Sequence, residues 1–332
     1  MSMRVNTNNR EALSLVSDAI WELNRYKQSK ELTQLISANE KLEKAIALDP
    51  KYMRALFYGA MANDLVGKAK NAVEKLEKLL REDLLSRDEV EYNLAVAYYH
   101  RYSHRWLKIA DEHFEAVINK TGNPTLKLLA HAGLAQTHAM WIIQPNPEQP
   151  DEDEALEHFE RSEAEYNLVM KELDELDDLD EGTANEIKWT TSNARGMSLM
   201  YYTDYFNNRD KKIEKLEMAL EKLEEADRYS PKNWANYCDL GSAHMRLGYW
   251  QEQKSEFDNA LKYLEEVVVS LRPNYGFALY EIGRVYRLMG EFEKAIEYFD
   301  KSREIESDYR DLSDGTLDRE KARAKEESKK FP

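Results

Sequence analysis

Histidines are the side chains whose spacing could bind a metal ion. His100 and His104 lie one helical turn apart and His113 follows, whereas His131 and His138 are seven residues apart. Imidazoles at positions i and i+4 can share an ion, but a third ligand is needed to complete the site. The residues around the first group are aromatic or cationic rather than carboxylate, so we predict no metal. We interpret the second group as groove or core residues.

An acidic segment with the sequence DELDDLDEG covers residues 174–182. A calcium loop of the EF-hand type needs acids at alternate positions and glycine at the sixth, which this segment lacks. Two interpretations stay open: a solvated helix face, or a docking strip for a basic partner whose attraction weakens in salt. The docking candidates are Asp174, Asp177, Asp178 and Asp180.

Motifs for catalysis or for cofactor binding are absent from the sequence. It contains no nucleophile elbow, no glycine-rich phosphate loop and no HExxH. The single cysteine, Cys238, excludes an intramolecular disulfide and a CxxC metal site. We therefore predict a protein that is not an enzyme and binds no cofactor.

Composition indicates that helices must position any functional residues. Among 332 residues there are only 8 Pro and 12 Gly, and no apolar run is long enough to cross a bilayer. The N-terminal residues are polar, without the apolar segment of a signal peptide. We therefore expect a mostly helical protein in the cytoplasm, with no membrane insertion.

The negative charge is concentrated in one block. The formal net charge is −16, and residues 148–181 contain 16 acidic and two basic residues, which leaves the rest of the chain near −2. Nucleic-acid binding needs clustered Lys and Arg that displace counterions from phosphates. The sequence therefore predicts no nucleic-acid partner.

Residues 274–307 contain landmarks at fixed steps that predict a helix, a tight turn and a second helix. The landmarks are Ile282, Gly283, Tyr286, Gly290, Ala295, Phe299 and Ser302. A small residue in each helix lets the two backbones approach, and aromatic side chains fill the space beside them. This pattern resembles the tetratricopeptide repeat (TPR), with its Leu-Gly-x-x-Tyr and Ala-x-x-x-Phe elements.

The resemblance implies an all-α fold, a right-handed α-α superhelix of about seven helical hairpins. It would cover residues 1–307, with an acidic long-helix insertion at 145–182, and residues 308–332 would form a charged C-terminal capping helix or tail. The long helix is expected over about 151–179. The sixth hairpin has about seven extra residues around Trp250 to Phe257.

Two segments share the second-helix spacing of the family, including its terminal proline. They are Ala38, Leu42, Ala45 and Pro50, and Ala219, Leu223, Ala226 and Pro231. Asp49-Pro50 and Ser230-Pro231 then each predict an N-cap followed by Pro at the first position of the next helix.

In TPR proteins the first helix of each hairpin lines a concave groove, and this resemblance selects candidate binding residues. They are Arg54, Phe57, Met61, Tyr92, Tyr99, Met140, Met197, Tyr201, Met245, Arg246, Phe277, Tyr280, Arg284 and Arg287. Tyr, Met and Arg are favoured at interfaces. The alternative is that these aromatic residues only pack between helices.

We therefore predict a non-catalytic scaffold that binds another protein or peptide in this groove. One alternative is a ligand- or peptide-responsive sensor, which predicts a discrete pocket near Tyr99, Met140 and Met197. Another is an architectural subunit that docks through the acidic helix. The sequence leaves open whether the chain forms a homo-oligomer.

Overall fold

The computed structural model describes residues 6–81, 87–101, 104–143, 152–176, 179–273, 275–305 and 316–330. Every regular element within these ranges is a helix, which confirms the predicted all-α class. The chain divides after Ala130 into two compact units. In the described ranges, no helix combines the length and the apolar character that crossing a membrane requires.

The first unit consists of three helical hairpins and the start of a fourth. Within the first three hairpins, consecutive helices pack against each other, both within a hairpin and from one hairpin to the next. The helices are α1 (Arg10–Ser29), α2 (Leu32–Leu48), α3 (Met53–Leu65), α4 (Ala69–Arg81), α5 (Arg87–Tyr99) and α6 (His104–Lys120). The next helix, α7 (Pro124–Ile143), contains the boundary between the units.

The second unit continues the same pattern and ends with a single helix. Its helices after α7 are α8 (Glu152–Leu173), α9 (Glu181–Tyr202), α10 (Arg209–Tyr229), α11 (Trp234–Gln251), α12 (Lys254–Glu266), α13 (Gly276–Leu288), α14 (Phe292–Glu304) and α15 (Thr316–Lys330). A 3₁₀ turn, Thr203–Tyr205, follows α9 and a π turn, Val267–Leu271, follows α12. The pairs α1–α2 to α13–α14 make the seven hairpins that the sequence predicts.

Glycines on the first helices let the second helices approach, as predicted. A Cβ added at Gly196 would lie 2.6 Å from Leu223 Cγ, and one at Gly283 would lie 2.6 Å from Phe299 Cε1. Real Cβ atoms do not come so close to a neighbour, so only glycine fits without a shift.

The caps predicted at the two prolines are wrong. Asp49 ends α2 in an extended conformation, and α3 begins only at Met53, because the Tyr52 N–H bonds the Asp49 carbonyl and closes a turn. Ser230 likewise ends α10, and Asn233 caps α11 by accepting from the Ala235 N–H at 3.0 Å. The prolines therefore occupy turns between hairpins.

The acidic helix α8 is shorter than predicted. It ends at Leu173, and its 22 residues equal the length of α9. Its buried face includes Ala155, Ser162 and Tyr166, and the Ser162 hydroxyl donates to the Ala135 carbonyl of α7 at 3.0 Å. It therefore packs as the second helix of the fourth hairpin.

Candidate functional site

The predicted groove residues fall into two classes of exposure. Eight are buried, with at most 7% of each residue's surface exposed: Phe57, Tyr99, Met140, Met197, Tyr201, Met245, Phe277 and Tyr280. Six are partly exposed: Arg54, Met61, Tyr92, Arg246, Arg284 and Arg287. At the eight buried positions the structure favours the packing alternative. Four of these six residues are arginines, so most of the partly exposed candidates are cations.

A buried asparagine organises the inner helix of the second hairpin. Asn63 is fully buried, and its amide donates to Asn39 Oδ1 at 2.6 Å and to Glu43 Oε1 at 2.8 Å. Lys75 Nζ donates back to Asn63 Oδ1 at 3.1 Å. This network joins α2, α3 and α4, and no motif in the sequence indicates it.

The histidines considered for metal binding have separate partners. His100 Nδ1 lies 2.9 Å from each carboxylate oxygen of Asp64, whereas His113 stacks on Tyr98 with ring centroids 5.8 Å apart. Burial lowers the pKa of His113, and the carboxylate of Glu91 opposes that shift. The side chain of His104 lies outside the described residues. Where the structure describes the chain, no group of three His, Cys, Asp or Glu could hold a metal ion.

Hydrogen-bonded amides join the inner helices of the fourth, fifth and sixth hairpins. Asn193, 1% exposed, accepts from Gln136 Nε2 at 3.1 Å. Its own amide donates to Asn236 Oδ1 at 3.1 Å and to Asp239 Oδ2 at 2.9 Å. Because buried polar groups cost free energy unless they are paired, this chain of bonds fixes the register of α7, α9 and α11.

A buried carboxylate joins the sixth and seventh hairpins. Glu281, 1% exposed, accepts from the Ser242 hydroxyl at 3.0 Å and from Arg284 Nη1 at 2.9 Å. On the next turn, Arg287 binds Glu320 and Glu327 of α15. Three of the predicted groove arginines lie in the second unit. Two of them are thus bound within the protein, Arg284 by Glu281 and Arg287 by the C-terminal helix.

Arg246 is the third, and its surroundings differ. Its guanidinium lies 5.3 Å from the centroid of the Tyr201 ring, and its Nη1 donates to the exposed carboxylate of Asp204 at 2.6 Å. Its side chain is 16% exposed, and its enclosed Nε–H finds no acceptor among the described residues. Such an unsatisfied donor costs free energy unless a ligand or water reaches it.

An open cleft of about 570 Å³ lies where the turns of the last three hairpins meet. Its apolar walls come from Gly248, Tyr249, Trp250, Phe257, Leu288 and Met289, and its charged rim comes from Arg209, Glu252, Lys254 and Glu291. The extra residues of the sixth hairpin, around Trp250 to Phe257, contribute to this lining, a role that the sequence pattern alone does not indicate.

The acidic docking candidates differ in the local role that the structure gives them. Asp180 caps α9, since its carboxylate accepts from the Thr183 N–H at 3.0 Å and from the Thr183 hydroxyl at 2.7 Å. These hydrogen bonds lower the pKa of Asp180. Asp174 is exposed just beyond the end of α8. Asp177 and Asp178 lie outside the described residues.

Comparison with known proteins gives one family match. Residues 233–306, the sixth and seventh hairpins, match the family model of the tetratricopeptide repeat. No curated protein matches the chain.

Solved structures of helical-repeat proteins align over nearly the whole chain at low identity. A tetratricopeptide repeat protein from Parabacteroides merdae is 13% identical, with 96% of this chain and 100% of that chain covered and a TM-score of 0.46. A thermophilic TPR protein of Thermus thermophilus is 12% identical, with coverages of 94% and 98% and a TM-score of 0.31. The TPR2AB domain of yeast Sti1, in complex with pHSP90, is 16% identical, with coverages of 96% and 98% and a TM-score of 0.31.

Proposed function

We propose that this chain, a protein of tetratricopeptide repeats, is a non-catalytic cytoplasmic scaffold that binds a segment of another protein along its inner helices. The repeat is a fold that serves protein–protein interaction in general. The finer proposal is that the partly exposed arginines of the groove, rather than its buried aromatic residues, contact the partner.

Arg246 carries this proposal. A guanidinium has five N–H donors, of which Asp204 accepts one. The Tyr201 ring and the Asp204 carboxylate hold the side chain in place before a partner arrives, which lowers the entropy lost on binding. Backbone carbonyl and carboxylate oxygens of a peptide are the acceptors that suit such a group.

Affinity capture from a lysate of the source cell tests the scaffold function. We expect a protein partner that is retained at about 50 and at about 300 mM salt, because a groove contact is partly desolvated and screened less than a surface pair. If no protein is captured at either salt, the scaffold function is wrong. A thermal-shift screen with small molecules then tests the sensor alternative.

Two arginine variants, one in the groove and one outside it as a control, test whether the groove contacts the partner. Arg246→Gln removes the charge without stranding a buried partner, because Asp204 is exposed. We expect it to weaken capture, whereas Arg228→Gln, at an exposed position of α10, leaves capture unchanged. Equal capture by the two variants would place the contact elsewhere.

The architectural alternative is favoured by exposed acids at both ends of α8: Glu152, Asp153 and Glu154 at its start, and Asp174 just beyond its end. Charge reversal at Asp174 is the suitable test, since Asp180 is needed as a helix cap. A partner that is lost with Asp174→Lys and kept with Arg246→Gln would favour docking through the acidic helix.

A further inference from the structure

The cleft at the turns of the last hairpins arises from a difference in helix length. Gly241 and Gly283 are each the eighth residue of their helix, yet α11 has 18 residues and α13 has 13. At about 1.5 Å per residue, α11 extends about 7 Å further along its axis than its neighbour. The last turns of α11 therefore have no counterpart on α13, and an open space remains beside them.

The longer helix presents two aromatic side chains to this space. Tyr249 is 52% exposed and meets Trp250 edge-on, with ring centroids 5.0 Å apart. The Trp250 carbonyl accepts from Arg209 Nε at 2.6 Å, which fixes this end of the helix to the start of α10. An exposed Tyr and a partly exposed Trp beside a concave apolar wall are typical of sites where partner proteins bind.

The charges at the rim favour an anionic partner. Both carboxylates of the rim are already paired, Glu252 with Arg209 at 3.2 Å and Glu291 with Lys294 at 2.5 Å. Lys254 is exposed and forms no ion pair with a described residue. Lys212 lies 4.3 Å from the centroid of the Trp250 ring, which adds a second cation beside the cleft.

The start of α12 strengthens this preference. Lys254 is the first residue of α12, and the N-cap Gln253 forms no side-chain hydrogen bond to the helix. The Glu256 N–H bonds the Gln253 carbonyl at 3.2 Å, so the N–H groups of Lys254 and Ser255, with the positive end of the helix dipole, remain for a carboxylate that approaches Lys254. An apolar wall with an adjacent surplus of positive charge fits a ligand that combines an apolar and an acidic group.

We propose that this cleft binds a short peptide segment of a partner protein in which Asp or Glu stands within a few residues of a large apolar side chain. The apolar side chain lies against Trp250 and Tyr249, and the carboxylate pairs with Lys254. The proposal rests on the scaffold function, and it adds a second binding surface, outside the groove, with a defined ligand chemistry.

Selection of peptides tests the ligand class. A phage library of random heptapeptides is selected on the immobilised full chain, and the enriched peptides are synthesised with a fluorescent label. We expect Asp or Glu close to Phe, Leu or Trp in the enriched set. Enrichment of basic peptides, or of none, overturns the proposal. The lysate experiment then decides the scaffold function separately.

Fluorescence anisotropy with matched variants locates the peptide-binding site on the chain. Tyr249→Ala and Lys254→Glu each should weaken the affinity about tenfold or more, as expected for interface anchors. Two controls should retain it: Lys262→Glu, the same charge change at an exposed position of the same helix, and Trp21→Ala, at an aromatic residue 58% exposed in the other unit. Circular dichroism checks that all four variants are folded.

The remaining outcomes are also decisive. If the peptides bind the wild type and both cleft variants equally, the cleft is not their binding site and the proposal is wrong. The scaffold function is unaffected by this result. If sedimentation shows that the wild-type chain self-associates and Tyr249→Ala abolishes this, a second copy occupies the cleft and the proposal is wrong. Displacement of the selected peptide by unlabelled acetyl-aspartate alone, at equal concentration, would identify a small-anion site instead.

Discussion

Single residues on the inner helices combine burial with charge, which makes their removal costly in a predictable way. Glu281 has a side chain 2% exposed and forms an ion pair with Arg284 at 2.9 Å. Burial lowers the pKa of Arg284, but the carboxylate of Glu281 opposes this strongly enough that the net shift is upward. The arginine that the sequence selects as a groove residue is thus also part of the fold.

Arg284→Ala should lower the free energy of unfolding by about 1–3 kcal/mol, because it removes a charged hydrogen-bond donor from the buried carboxylate of Glu281. Urea denaturation followed by circular dichroism measures the change. Arg284→Ala combined with Glu281→Gln should recover part of the loss, since the neutral amide needs no counter-charge. As a control, Arg323→Ala removes a cation that is 58% exposed and should cost less than about 1 kcal/mol. Equal losses in the two single variants would contradict this view of Glu281.

His138 makes stability depend on pH. It is 5% exposed, and its Nδ1 lies 3.0 Å from Nδ1 of His158, whose ring stacks on Trp141. Burial lowers the pKa of His138 to about 3, and the nearby charges of His158 and Arg161 add to this. The folded state therefore keeps this histidine neutral where the unfolded chain protonates it.

Stability from His138 should be complete above pH 6.5 and should be lost progressively as the pH falls from there toward 3. At pH 5 the loss is about 2 kcal/mol for a shift of this size. Urea denaturation at several pH values measures it, with His138→Gln as the comparison. The difference in unfolding free energy between wild type and variant should shrink on acidification. A constant difference would show that His138 titrates normally.

At the scale of whole elements, the distance between paired helices depends on glycine. A Cβ at Gly241 would lie 2.5 Å from Leu264 Cγ and 3.2 Å from the Ala260 carbonyl oxygen. Gly241→Ala should therefore lower the free energy of unfolding by about 1–3 kcal/mol through overpacking, although alanine is the better helix former.

Thermal unfolding measures this effect, and Gly122→Ala is the control. A Cβ at Gly122 would meet nothing within 4 Å. The midpoint of thermal unfolding of Gly122→Ala should therefore stay close to that of the wild type. If Gly241→Ala raised the midpoint, helix propensity would outweigh the close approach of α11 and α12.

Sequence patterns predict the hairpins well and their ends poorly, for a physical reason. The glycine and aromatic landmarks around Gly283 and Phe299 are set by contacts within one hairpin, which a local pattern contains. The helix starts after Asp49 and Ser230 depend on how the turn leads into the next hairpin. There the backbone forms a further turn before α3 and α11 begin, so a cap-proline pair alone does not locate the start.

The candidate site was harder to predict, because it depends on burial by neighbouring helices. Met197 and Tyr201 are on the inner helix α9, as the repeat pattern implies, yet they are 3% and 4% exposed. Only the positions of the adjacent helices decide whether such a residue lines a groove or a core. The extra residues at Trp250 are evident in the sequence. A comparison of the lengths of the sixth and seventh repeats could have indicated that α11 extends beyond α13.

At the scale of the whole molecule, packing proceeds from one helix to the next along the chain within each unit. In such repeats, stability is approximately the sum of hairpin terms and nearest-neighbour interface terms. The last hairpin has a neighbour on one side only, and α15 covers its other side. Leu317 and Ala324 are buried there, and Arg287, with a side chain 9% exposed, binds Glu320 and Glu327.

A chain that ends at residue 315 should therefore lose protection in its last hairpin while its first unit stays intact. Amide hydrogen exchange followed by mass spectrometry should show α13 and α14 exchanging about tenfold faster or more, because removal of about 1.4 kcal/mol from a local opening free energy has this effect. The helices α1 and α2 of the same molecule are the internal control. Glu320→Gln with Glu327→Gln should give a smaller acceleration, because the apolar contacts of Leu317 and Ala324 remain. Unchanged exchange in α13 and α14 would mean that the last hairpin is stable without α15.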